Sequence, residues 1–92
     1  MIVDFKCKET RTLFEKGKSK RFGAVAKSAL RKLDMLDAAA RLEDLRIPPS
    51  NHLERLHGDR SNQFSIRVNE QWRLCFEWRD GAAHNVEIVD YH

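Results

Sequence analysis

The amino-acid sequence predicts an α+β domain: an N-terminal strand and two helices packed on one face of a small, mainly antiparallel sheet. Three observations carry this. Apolar residues recur every three to four positions from Phe22 to Ala40, the period of an amphipathic helix. They alternate every second position from Phe64 to Trp78, the period of half-buried strands. The helical period precedes the run of strand periods, the order expected where helices segregate to one side of a sheet.

Taken in order, Ile2, Val3 and Phe5 predict a short first strand. ETRTLFEKG predicts a short helix, with Thr10, Leu13 and Phe14 near one face and Gly17 placed to stop it. KGKSKR reads as a basic loop. Phe22, Val25, Ala26, Ala29, Leu30, Leu33, Leu36 and Ala40 predict a helix of about five turns, with Lys27, Arg31, Lys32 and Asp34 on its outer face. Leu42 and Leu45 add a last short turn. Pro48 and Pro49 cannot continue a helix, so IPPSN reads as a surface connection.

After Asn51 the period becomes two. LERLHG is a weak strand. In QFSIRV, Phe64, Ile66 and Val68 oppose Ser65 and Arg67. In QWRLCFEWR, Trp72, Leu74, Phe76 and Trp78 oppose Arg73, Cys75 and Glu77. Asp80-Gly81 is a hairpin turn signal. HNVEIVDYH is the final strand. Neither a repeat nor a low-complexity stretch interrupts the chain, and one domain is expected over residues 1–92.

The 92 residues are 41% hydrophobic and 34% charged, a globular composition well away from the disordered range. Net charge is +3, with Lys and Arg concentrated between residues 6 and 32 and further Arg residues from 55 to 79. Two readings of that excess stand: a solvated basic surface, or affinity for an anionic partner, of which nucleic acid is the commonest. No apolar run approaches a membrane span. The start MIVDFKCK lacks a signal-peptide pattern, and two unpaired cysteines, Cys7 and Cys75, fit a reducing cytoplasm. His52, His57, His84 and Cys7 do not have zinc-ligand spacing, so no metal and no cofactor are expected.

Function is expected on the sheet face turned away from the helices, which alternation assigns to Arg67, Arg73, Cys75, Glu77 and Tyr91. Pairing Val68 with Trp72 around the loop 69–71 keeps apolar opposite apolar and places Arg67 opposite Arg73. Like charges facing each other are unfavourable by a few tenths of a kcal/mol unless an anion lies between them. Either Glu77 or solvent tames the pair, or the pair is a guanidinium clamp for a phosphate. The chain ends in Asp90, Tyr91 and His92, with Asp90 and His92 on one side by alternation and Tyr91 on the other. Imidazole titrates near neutrality, which suits His92 to proton transfer. Asp90 can fix its tautomer, and Tyr91 can stack on a base or donate a hydrogen bond. A frayed end is the bland alternative. Val86 and Ile88 argue against fraying by anchoring the strand. An extension after His92 is therefore expected to disturb the site more than one before Met1. Glu54, Arg55, His57 and Arg60 form a further group combining a carboxylate, an imidazole and cations, with Gly58 allowing a turn and Asp59 able to pair with Arg60.

Cations, an imidazole, a carboxylate and a phenol, without a nucleophile motif, suit RNA cleavage by the ribose 2′-OH. That reaction needs a base, an acid and positive charge around the phosphorane, while the RNA brings its own nucleophile.

LERLHGDRSNQFSIRVNEQWRLCFEW followed by NVEIVDYH, together with MIVDFK and FEKGKSKR, resembles HigB-type toxins of the RelE/ParE superfamily over nearly the whole chain. The resemblance implies a RelE-like fold and a ribosome-dependent endoribonuclease cutting mRNA in the A site. It implies a HigA-like helix-turn-helix antitoxin as partner, with operator DNA bound indirectly through that antitoxin. It places Asp90, Tyr91 and His92 in the active site and Arg67 and Arg73 at the cationic positions. The chain departs from the pattern twice: Glu54 stands where some members have a catalytic His, and His57 where those members have a Lys before GDR. Either His57 replaces the imidazole, or Glu54 serves as acid or base, or cleavage is weak; activity below that of members with both groups is expected. Lys16, Lys18, Lys20, Arg21, Arg55 and Arg60 are the candidates for ribosome or RNA backbone contact, which needs no sequence readout. Two other functions fit a basic domain of this kind: a ParE-like toxin that inhibits a topoisomerase, and a non-catalytic RNA- or protein-binding module.

Overall fold

A computed structural model of the chain describes residues 1–56, 58 and 62–90. Helix α1 spans Lys8–Lys16 and ends at Gly17, whose left-handed backbone (φ 75°) lets its N–H cap the Leu13 carbonyl. Helix α2 spans Ala26–Ala38. Strands β1 (Glu54–Arg55), β2 (Gln63–Arg67), β3 (Trp72–Arg79) and β4 (Ala82–Asp90) form an antiparallel sheet in the order β1-β2-β3-β4. Leu13, Leu33, Leu36, Ile66, Leu74, Phe76 and Val86 are buried where the helices meet one sheet face. This is the predicted fold class.

The hairpins follow their turn chemistry. Asp80 and Gly81 both have positive φ (54° and 72°), the geometry a two-residue turn demands. In the other hairpin the Val68 and Asn69 amides both donate to the Trp72 carbonyl, while Asn69 Oδ1 accepts the Gln71 and Trp72 amides at 2.8 and 2.7 Å.

The structure corrects four expectations. The N-terminal segment is not a full strand: Ile2 and Phe5 make isolated parallel bridges to Ala83 and Val86 before the chain turns into α1. The second helix is shorter than five turns. Gly23–Val25 is a 3-10 turn, since glycine and a β-branched valine are weak helix formers. At the far end the Asp44 carboxylate accepts the amides of Ala40 and Arg41, both at 3.0 Å, and draws the chain into the 3-10 turn Leu42–Arg46. Lys32 is half-buried rather than on the outer face, and the IPPSN connection is not all surface, because Asn51 is fully buried.

The pairing of β3 with β4 is irregular at Phe76. Cys75 pairs with Glu87 and Glu77 with His84, so Phe76 of β3 faces two residues of β4, Asn85 and Val86. Asn85 takes positive φ (52°), donates its backbone amide to Asp4 Oδ1 at 2.6 Å, and donates its side-chain amide to Glu77 at 2.8 Å.

Candidate active site

The end of the sheet formed by the close of β2, the start of β3 and the close of β4 collects the candidate residues. The β2–β3 register is the one parity predicts, with Arg67 facing Arg73. Across β3 and β4, Arg73 faces Val89 and Trp72 faces Asp90. One row inward, Glu54 faces Ser65, which faces Cys75. Glu54 therefore shares the face of the two arginines, and its carboxylate lies 4.0 Å from Arg73 NH1.

The face turned away from the helices is largely closed here. Arg73 is only 9% exposed, and Ser65 and Cys75 are fully buried. Arg73 lies across its diagonal neighbour Ser65: Nε donates to Ser65 Oγ at 2.8 Å, and NH2 donates to the carbonyls of His52 at 2.5 Å and Ser65 at 3.3 Å. Charge-assisted bonds on two sides fix the guanidinium plane. Of the alternatives for the arginine pair, Glu77 as its counter-charge is not what the structure shows: Glu77 binds Asn85 and lies 3.6 Å from Arg79, while the carboxylate near Arg73 is Glu54.

Arg67 is half-buried, and among the described residues its side chain has neither a hydrogen bond nor an ion pair. Asp90 is exposed at the end of β4 and accepts Gln71 Nε2 at 3.1 Å. It has the parity of Trp72 and Ile88, so it rims the helix side of the sheet while Glu54 and the arginines occupy the other. Tyr91, His92, His57, Asp59 and Arg60 lie outside the described residues; Tyr91 and His92 continue the chain from Asp90.

The basic loop approaches the same end. Phe22 meets Trp72 edge-on, with ring centroids 5.5 Å apart, and the Arg21 guanidinium sits 5.1 Å from the Phe22 ring. Arg21 also donates to Glu9 Oε1 at 3.2 Å, so its charge is partly spent within the fold. The Glu9 carboxyl is held below its ordinary range, first by the Cys7 thiol that donates to it and then by Arg21. Lys16, Lys18 and Lys20 are exposed. Arg55 faces Phe64, has the opposite parity to Glu54, and lines a hollow with Leu42, Arg46 and Leu53; the structure thus separates it from the arginine pair.

Sequence reasoning missed Ser65, the His52 carbonyl and Gln71. Ser65 was within reach of it: a small hydroxyl diagonal to Arg73 on the same face is a natural seat for a guanidinium.

The family described as "RelE-like toxin of type II toxin-antitoxin system HigB" matches residues 3–92. The chain is 44% identical over 90 residues to Toxin HigB-1 of Vibrio cholerae, covering 96% of this chain and 95% of that protein. It is 34% identical over 98 residues to Endoribonuclease HigB of Proteus vulgaris, covering all of both chains. Its fold resembles the crystal structure of a YafQ mutant from E. coli, with a TM-score of 0.57 at 12% identity over 94% of this chain and 91% of that one.

Proposed function

The chain belongs to the HigB-like family of RelE-like toxins of type II toxin-antitoxin systems, and from that premise we propose that it is an endoribonuclease cutting ribosome-bound mRNA in the A site. The observation that carries the reading is the facing pair Arg67 and Arg73, with Glu54 beside it and Asp90 at the same sheet end. In the reaction a base removes the 2′-OH proton, the 2′-oxygen attacks the adjacent phosphorus, and the 5′-oxygen leaves with a proton from an acid. The products are a 2′,3′-cyclic phosphate and a 5′-OH end.

Arg73, held by Ser65 and His52, supplies fixed positive charge that needs no reorganisation as the phosphorane forms. Arg67 supplies a second cation from the facing strand. His92, next to Tyr91 and two residues beyond Asp90, carries the proton. Glu54 and His57 are the alternatives for the second proton-transfer group, since Glu54 stands where some members have a His and His57 where those members have a Lys. A HigA-like antitoxin with a helix-turn-helix domain neutralises the toxin and carries it to operator DNA. Lys16, Lys18, Lys20, Arg21, Arg55 and Arg60 contact ribosomal or messenger RNA backbone. Work on ribosomes places the protein in the cytoplasm, and among the described residues no helix is long and apolar enough to cross a membrane.

Primer extension on mRNA after induction, with a purified ribosome-programmed reaction beside it, tests the proposal. Cleavage inside the A-site codon, dependent on ribosomes and lowered at least a hundredfold by His92→Ala, is expected. Unchanged cleavage in that variant would remove His92 from the mechanism. Arrest of DNA replication before translation would favour topoisomerase inhibition instead.

A further inference from the structure

Lys32 is read from the sequence as a solvated lysine on the back of α2, yet the fold brings it to the active-site end of the sheet. It lines a hollow of about 210 Å³ with Ser50, Arg67, Val68 and Asn69, between α2, the turn Pro49–Asn51 and the β2–β3 hairpin. Among the described residues, two cations and no carboxylate line it.

The lysine is held there by a built support. Asn51 is 0% exposed. Its Nδ2 donates to the Leu45 carbonyl at 3.1 Å and to Met35 sulfur at 3.2 Å. Those bonds turn Oδ1 toward the Lys32 ammonium, which donates to it at 2.5 Å. Burying an amide costs stability unless it is fully hydrogen-bonded. Here the satisfied amide holds a lysine through one of its three donors. Burial, and secondarily Arg31, lowers the Lys32 pKa, as expected of an ammonium partly withdrawn from water. The Asn69 oxygen is occupied by the hairpin amides, so what Asn69 offers the hollow is its amide donor.

We propose that Lys32, positioned by Asn51, forms with Arg67 and Ser50 a subsite for an RNA backbone phosphate adjacent to the one that is cut. The proposal rests on the nuclease reading of the neighbouring Arg67–Arg73 pair and extends it. Arg67 bridges the two positions, since it lines the hollow and faces Arg73. Lys32 is a positioning residue: it seats the strand so that the scissile phosphate meets the fixed Arg73.

The test is binding of a fluorescent 2′-O-methyl RNA hexamer, which lacks the nucleophile and stays intact, measured by anisotropy across salt concentrations. Lys32→Gln should weaken binding about tenfold and reduce the slope of log affinity against log salt by about 0.7, one phosphate contact on a single strand. Lys32→Arg should restore most of both. Melting curves of each variant separate a lost contact from a lost fold, and Lys32→Gln should melt within a few degrees of wild type. An unchanged slope in a folded Lys32→Gln would overturn the proposal. So would equal displacement of the hexamer from wild type and Lys32→Gln by millimolar inorganic phosphate. Because the probe cannot be cut, a wild type that binds it with the Lys32-dependent slope but cleaves no mRNA would reject the nuclease reading and leave the phosphate subsite standing.

Discussion

At the scale of single residues, fixed polar side chains decide where the backbone goes and which charges stay in place. Asp44 is a clear case. Its carboxylate accepts two consecutive amides, Arg41 first in effect and Ala40 second, and these hold its pKa below the ordinary carboxylate value. A depressed carboxyl adds stability in full above its unfolded value and loses it as pH falls through its folded value. The melting-temperature gap between wild type and Asp44→Ala should therefore be constant from about pH 7 to about pH 5 and shrink below about pH 4. Arg73 is the corresponding case within the site. Ser65 and His52 hold a cation that would otherwise sample many rotamers, and a lysine, with a point charge and no planar fork, cannot reproduce that set of bonds.

At the scale of elements, α1 secures the last strand. The Ile88 amide donates to Thr10 Oγ1 at 3.1 Å, and both residues are buried. Thr10→Val keeps the shape but removes the acceptor, leaving a buried amide unpaired at a cost of about 1–3 kcal/mol. Hydrogen exchange should show the loss concentrated at Ile88 and its neighbours near Asp90, with β2 little affected. Such cross-element bonds also show what was legible in the sequence. Period two disclosed β2 and β3, the pairing of Val68 with Trp72 disclosed their register, and Asp80-Gly81 disclosed the turn, so the facing of Arg67 and Arg73 followed. Alternation assigns a residue to a side, however, and says nothing about depth. Arg73 is buried because residues 52–54 fold back along β2, through a strand only two residues long and too short for a periodic signal. The Lys32–Asn51 contact joins residues 19 apart through a proline pair that reads as surface. β4 starts at Ala82 rather than at the expected His84; Ala82 and Ala83 are small and carry little strand signature, so the sequence pattern does not disclose them.

At the scale of the whole molecule, the chain's first residues close the sheet. The Val3 and Lys6 amides donate to the Ala83 and Val86 carbonyls, and the Ala83 and Val86 amides donate to Met1 and Asp4. The Ile2 amide also donates to Asp37 Oδ1, in the last turn of α2, at 2.8 Å. Sheet edge, α2 and N-terminus are thus tied into one unit. Removing residues 1–5 would leave the outer edge of β4 with unpaired peptide groups, a template for association with another chain. Such a variant should melt well below wild type and show concentration-dependent light scattering that wild type lacks. β1, at the opposite edge, is too short to serve as such a template.

The irregular pairing at Asn85 gives the last strand one residue of slack. If Asn85 were deleted, His84 would still meet Glu77 and Val86 would meet Phe76, so Ile88 would stay opposite Leu74 and Asp90 opposite Trp72. Changes in length upstream of Val86 are absorbed there, as in an expansion joint, at a cost to stability but not to geometry. Downstream there is no such reserve. One residue added between Val86 and Asp90 would carry Asp90 to the other side of the sheet. The strand therefore divides into a length that can drift and a length that cannot, and the boundary between them is a single asparagine.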